Sequence, residues 1–115
     1  MNNPARGDVW QIDWSPSRGS EQGGMRPAVV VQTDAANKNP KYPNTIVCAI
    51  STKGRNIPFH VRLAPTRETG LSAPSFCKCE QLLTVSKDRL VRRLGKVGEE
   101  TLEEIEAGVK LVLAL

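Results

Sequence analysis

Arg26 is the side chain in this 115-residue sequence best placed to do chemistry. It ends an eleven-residue polar stretch, Ser15 to Met25, holding three glycines, three serines and a proline, and it opens the apolar run Ala28-Val-Val-Val31. Pro27 has a fixed φ and restricts the residue before it, so Arg26 is held more firmly than an ordinary loop arginine. A guanidinium so held suits bidentate contact with a phosphate. The alternative is that it pairs with Glu21 and closes its own loop. Other chemistries find little support. His60 is the one histidine, and no acidic cluster accompanies it, so a His-based metal site is not expected. Cys77-Lys-Cys79 places two thiols on one face of a strand, and Cys48 would make a third ligand, but C-x-C lacks the usual zinc spacing. Core packing is the favoured role of all three. The phosphate-binding G-x-x-x-x-G-K-[ST], the dinucleotide G-x-G-x-x-G and the esterase G-x-S-x-G patterns are all missing.

Short strands are expected to position this arginine. Val9 to Trp14 alternates with period two, placing Trp10, Ile12 and Trp14 on one face. Ala28–Thr33 and Thr45–Ile50 are continuous β-branched runs and read as buried strands, separated by a polar loop with two prolines. Ile57–Leu63 alternates again, with His60 and Arg62 on its polar face and Pro58 marking a sheet edge. Ser75–Val85 is a fifth strand. From Gly98 the period changes: Leu102, Ile105, Val109 and Val112 recur at helical spacing behind Glu99 and Glu100, which suit a helix N-terminus. Five strands and a terminal helix predict a single-domain, mainly β chain, a small barrel or twisted sheet with a helix packed on it.

Composition agrees with a globular domain: 39% hydrophobic and 24% charged, with no run of the roughly 20 apolar residues a membrane span needs. An odd number of cysteines and a start without an apolar signal segment point to reduced thiols in the cytoplasm. The net charge of +4 is uneven. Residues 1–97 hold 15 basic and 7 acidic side chains (+8), whereas residues 98–115 hold 1 and 5 (−4). A basic body turned away from an acidic terminal segment fits a polyanion-binding surface, and scattered solvated charge is the plainer alternative.

Several blocks in order resemble the MazF/PemK (Kid) toxin family. They are Arg6-Gly-Asp-Val-Trp10, Gly19-Ser-Glu-Gln-Gly-Gly-Met-Arg-Pro27, Ala49-Ile-Ser-Thr52, Pro58-Phe-His-Val61, Cys79-Glu-Gln-Leu82 and Leu94-Gly-Lys-Val97. The resemblance implies a small SH3-like barrel of the CcdB/PemK type with a C-terminal helix, assembled as a homodimer. It also implies a metal-independent, sequence-specific endoribonuclease acting on single-stranded RNA, mostly mRNA, as the toxin of a type II toxin–antitoxin pair. The family's catalytic arginine falls on Arg26, its hydroxyl, usually Thr, on Ser51 with Thr52 beside it, and its loop glutamate on Glu21. The chain departs from the family at Ser51 and at Glu80, where Asp is frequent.

Without a metal, the 2′-OH is the natural nucleophile, giving a 2′,3′-cyclic phosphate and a 5′-OH. Arg26 would stabilise the phosphorane and the Ser51 or Thr52 hydroxyl would bond one of its oxygens. Arg stays protonated, so Glu21 is the candidate base, with His60 read as a bystander. Candidate RNA contacts are Arg18, Gln22, Lys53, Arg55, Phe59 and Gln81. No cofactor is expected, and an acidic antitoxin is the implied partner. The apolar end Leu111–Leu115 suits the implied dimer. Two rivals belong to other classes: a CcdB-like poison of DNA gyrase acting through the terminal helix, and a non-catalytic SH3-like module. The long loop and Arg26 argue against the first, and few aromatics (4%) against the second.

Overall fold

The computed structural model describes residues 3–14 and 24–115. The loop expected over Ser15–Met25 therefore lies largely outside the described residues, and Arg18, Glu21 and Gln22 lie there too. Six strands, β1 (Asp8–Asp13), β2 (Met25–Val30), β3 (Asn44–Ser51), β4 (His60–Leu63), β5 (Ser75–Ser86) and β6 (Leu90–Lys96), form one sheet in the order β4-β5-β3-β2-β1-β6. Every pairing is antiparallel. A short helix, α1 (Asp34–Asn37), follows β2, and α2 (Glu99–Leu113) ends the chain.

The sheet carries apolar side chains on both faces. On one, Val9, Val29, Cys48, Ile50, Val61, Leu63, Cys77 and Cys79 pack beneath Leu102, Ile105, Val109 and Val112 of α2, the stripe expected of that helix. On the other, Trp10, Ile12, Ala28, Val30, Val47 and Leu90 form a second cluster, with Trp14 and Val85 against it. β5 can serve both because it is twelve residues long and irregular: its partner register on β3 jumps between Cys48↔Leu82 and Ala49↔Lys78. The extra residues of such a bulge bend a strand and raise its twist.

Gly108 lies where α2 crosses β5. A Cβ there would stand 2.6 Å from Cys79 Sγ and 3.3 Å from Phe59 Cα, so glycine sets how closely the helix seats. The thiols are accordingly core groups, as expected. Cys48, Cys77 and Cys79 are free and fully buried, and the Cys79 thiol faces the Ile105 carbonyl oxygen at 3.7 Å. Hydrogen bonds with Cys48 and Cys79, together with burial, push the Cys77 thiol up.

Several elements differ from the sequence expectation, among them α1, a short helix within the polar loop expected between the second and third strands. A sixth strand, β6, pairs with β1 at the sheet edge. Its Arg92, Arg93, Lys96 and Gly95 conceal the alternation, which is how edge strands are commonly written. β2 starts earlier, at Met25, and the chain leaves the sheet after Val30 so that Thr33 can cap α1. β4 starts at His60 because residues 57–59 form a turn, closed by the His60 N–H donating to the Ile57 carbonyl (3.1 Å).

Candidate functional site

Arg26 sits opposite Ile12 of β1, and the indole N–H of Trp14 donates to its carbonyl oxygen at 3.2 Å. The backbone carrying this arginine is thus pinned from the neighbouring strand while its side-chain end of the residue is exposed. On its other side, β2 pairs with β3 at Ala28↔Ala49. The same register carried two residues further brings Arg26 level with Ser51. A cavity of about 330 Å³ opens there, lined by Arg26, Pro27, Ile50, Ser51, Thr52, Lys53 and Ser75. The arginine and both hydroxyls singled out from the sequence therefore share one cleft.

The two hydroxyls are not equivalent. Ser51 is the last residue of β3 and half-buried, and its Oγ accepts the Lys53 N–H at 3.1 Å. That bond fixes the oxygen and leaves its proton free to be donated outward. Thr52 is exposed at the start of the loop. Lys53 lines the cleft as well, whereas Arg55 and Gln81 are exposed but outside it.

Phe59, expected as an RNA contact, is placed away from the cleft. It is half-buried and packs with Val61 and Leu63 against the core under α2. Strand alternation sends Phe59, Val61 and Leu63 one way and His60 and Arg62 the other. The aromatic beside the cleft is Phe76. It is the register partner of Ser51 on β3 and of Arg62 on β4, and the Arg62 guanidinium lies 5.1 Å from its ring centre. Lys78, the partner of Ala49 and His60, extends the same face. Arg62, Lys78 and Phe76 were not among the candidates read from the sequence because they become neighbours of Ser51 only through pairing of distant strands. The alternation His60-Val-Arg62 was the one available signal.

His60 is no loose surface imidazole. Its side chain is 6% exposed, its Nε2 lies 2.8 Å from Glu80 Oε2, and its Nδ1 accepts the Arg55 N–H at 3.0 Å. A larger cavity, about 600 Å³, lies elsewhere between α1, β3 and α2. Its walls, with Tyr42, Ile46, Leu82 and Val109, are mainly apolar, and the Arg6 guanidinium that reaches it donates to the Val31 carbonyl and to Glu106. Among the described residues no His, Cys, Asp and Glu cluster has the makings of a metal site. No helix there is long and apolar enough to cross a membrane.

An antiparallel sheet with a helix on one face, and an arginine, a lysine and two hydroxyls in one cleft, defines a small mainly β protein with a basic cleft. The chain belongs to a family of toxins: residues 5–113 match the PemK-like, MazF-like toxin of type II toxin–antitoxin systems. Its curated relatives include Endoribonuclease MazF9 of Mycobacterium tuberculosis, 37% identical over 114 residues and covering 96% of each chain. Endoribonuclease MazF of Staphylococcus epidermidis is 38% identical over 113 residues, 96% of this chain and 91% of that one. Among solved structures, an endoribonuclease in complex with its cognate antitoxin from a mycobacterial species is similar at a TM-score of 0.78 and 25% identity, covering 97% of this chain and 96% of that one. The family assignment and the endoribonuclease class follow from these likenesses together.

Proposed function

We propose that this toxin cleaves single-stranded RNA, chiefly mRNA, at a short sequence motif and without a metal. The observation that carries the reading is the cleft holding Arg26, Ser51, Thr52 and Lys53 side by side. The 2′-oxygen attacks the adjacent phosphorus, the P–O5′ bond breaks, and the products are a 2′,3′-cyclic phosphate and a 5′-OH. The Arg26 guanidinium offers paired N–H groups to the non-bridging oxygens of the phosphorane, where a metal would otherwise neutralise charge. Ser51 donates its free hydroxyl proton to the same group, with Thr52 as the neighbouring hydroxyl. Glu21, five residues before Arg26 in the chain, takes the 2′-OH proton, and the departing 5′-oxygen takes up a proton from water. Arg18, Gln22, Lys53, Arg55 and Gln81, joined by Arg62 and Lys78, hold the strand, and Phe76 supplies the ring beside it.

We also propose a homodimer and an acidic antitoxin, both acting in the cytoplasm. The exposure of Leu111 (56%) and Leu113 (49%) on the last turns of α2 supports the first. The basic body and the antitoxin-bound relative support the second. The test incubates purified protein with a long single-stranded RNA in excess EDTA and maps the fragment ends. Cuts at one repeated motif with 5′-OH and cyclic-phosphate ends are expected. Intact RNA with folded protein, or 5′-phosphate ends, contradicts the reading.

A further inference from the structure

The loop between β3 and β4, residues 52–59, brings Thr52 and Lys53 into the cleft, and four contacts give it its shape. The Lys53 N–H bonds Ser51 Oγ, the Arg55 N–H bonds His60 Nδ1, and the His60 N–H closes the turn on Ile57. Gly54 lies against the Phe76 ring so closely that a Cβ there would meet it at 2.4 Å. One of these four depends on a titratable side chain. A backbone amide can only donate, so Nδ1 of His60 must be its unprotonated nitrogen, and the proton sits on Nε2 facing Glu80. The imidazole is thereby held at both ends, with Phe59 edge-on at 5.5 Å, the Phe76 ring at 6.4 Å and Lys78 across the strand pair.

We propose that His60 is a positioning residue: as an acceptor at Nδ1 it fixes the β3–β4 loop so that Thr52 and Lys53 stand beside Arg26, and Glu80 sets its tautomer. The imidazole touches no reacting atom and moves no proton in cleavage. This rests on the RNA-cleavage reading for its activity test, though not for its geometry. A displacement of about 1 Å in a positioning element costs on the order of 10²-fold in rate.

Three variants separate this role from proton transfer. His60→Leu keeps the bulk and removes the acceptor. His60→Asn places an amide oxygen where Nδ1 stood but has no titrating group and falls short of Glu80. Glu80→Gln keeps an acceptor for the Nε2 proton. Single-turnover cleavage is expected to fall roughly 10²-fold in His60→Leu, mainly in kcat. His60→Asn should recover most of that loss, and Glu80→Gln should stay close to wild type. A His60→Asn as slow as His60→Leu, or a His60→Leu as fast as wild type, overturns the proposal. Amide hydrogen exchange judges the loop independently: Arg55 should lose protection in His60→Leu and keep it in His60→Asn. Should wild type leave RNA uncut, the RNA reading fails, and unchanged Arg55 protection in His60→Leu would overturn the anchoring role as well.

Discussion

Ser51 and Thr52 are adjacent hydroxyls lining one cleft with different surroundings, and in the proposed mechanism that difference favours Ser51. The Ser51 oxygen is fixed by the Lys53 amide on the half-buried end of a strand, whereas Thr52 is exposed. A preorganised donor is worth far more to a developing charge than one that must reorganise, and removing one typically costs about 10²–10³ in kcat. Ser51→Ala should therefore slow single-turnover cleavage by about that factor, and Thr52→Ala by much less. The reverse order would transfer the role to Thr52. Ser51→Thr restores the hydroxyl frequent in the resembled family and should retain activity. The arginine was legible in the sequence because Pro27 and a β-branched run announce a rigid position. Its neighbours were legible only through the family resemblance, since nothing local to Ser51 marks it as facing Arg26. Their meeting is a matter of sheet register. Lys87 was illegible for the same reason: it is buried to 1% exposure, its Nζ donating to the carbonyls of Ala36 in the last turn of α1 and of Asn39 just beyond it.

At the scale of elements, α2 tests whether packing or propensity wins. In an exposed helix, Gly→Ala gains about 1 kcal/mol. At Gly108 the new methyl would press into Cys79 and the Phe59 backbone, an overpacking that typically costs about 1–3 kcal/mol. Urea denaturation of Gly108→Ala should show a lower midpoint than wild type; a higher one would mean that α2 seats more loosely than described. The helix was read correctly from its apolar period, but the sequence could give Gly108 only a propensity cost, because the close approach belongs to β5. The α1 region makes a prediction about pH. The Asp34 carboxylate accepts the Arg6 N–H at 2.8 Å and the Asn37 amide at 3.2 Å. The Arg6 backbone bond above all holds its pKa below the ordinary carboxylate value, with partial burial opposing. A folded pKa below the unfolded one gives stabilisation that is complete above the unfolded value and is lost as pH falls through the folded one. Asp34→Ala should thus lose stability at neutral pH and converge on wild type in acid, measured by thermal unfolding across pH. A constant gap at all pH values would contradict the assignment.

Over the whole molecule, charge and sheet topology act together. Arg26 and Lys53 line one cleft and strand register puts Arg62 and Lys78 on the same face of the sheet, while the acidic segment lies in α2 on the opposite face. The charge split was visible in the sequence. The face on which it would concentrate was not, because β4 and β5 reach Ser51 only by antiparallel pairing of segments far apart in the chain. The six cations proposed to meet single-stranded RNA, Arg26, Lys53, Arg62 and Lys78 with Arg18 and Arg55, predict that log(kcat/KM) falls with log[salt] at a slope of about −4, and Lys78→Gln should make that slope shallower by roughly 0.7. A salt-independent rate would place the RNA elsewhere. In the proposed reaction Arg26 stabilises a phosphorane made by the substrate's own 2′-oxygen. The most direct measurement is single-turnover cleavage of one RNA oligonucleotide, and of the same oligonucleotide with a single 2′-deoxy residue at the cut, by wild type and by Arg26→Ala. Wild type should cut the all-RNA strand and bind the deoxy strand without cutting it, and Arg26→Ala should bind the all-RNA strand but scarcely cut it. Cleavage of the deoxy strand, or wild-type rates from Arg26→Ala, would contradict this mechanism.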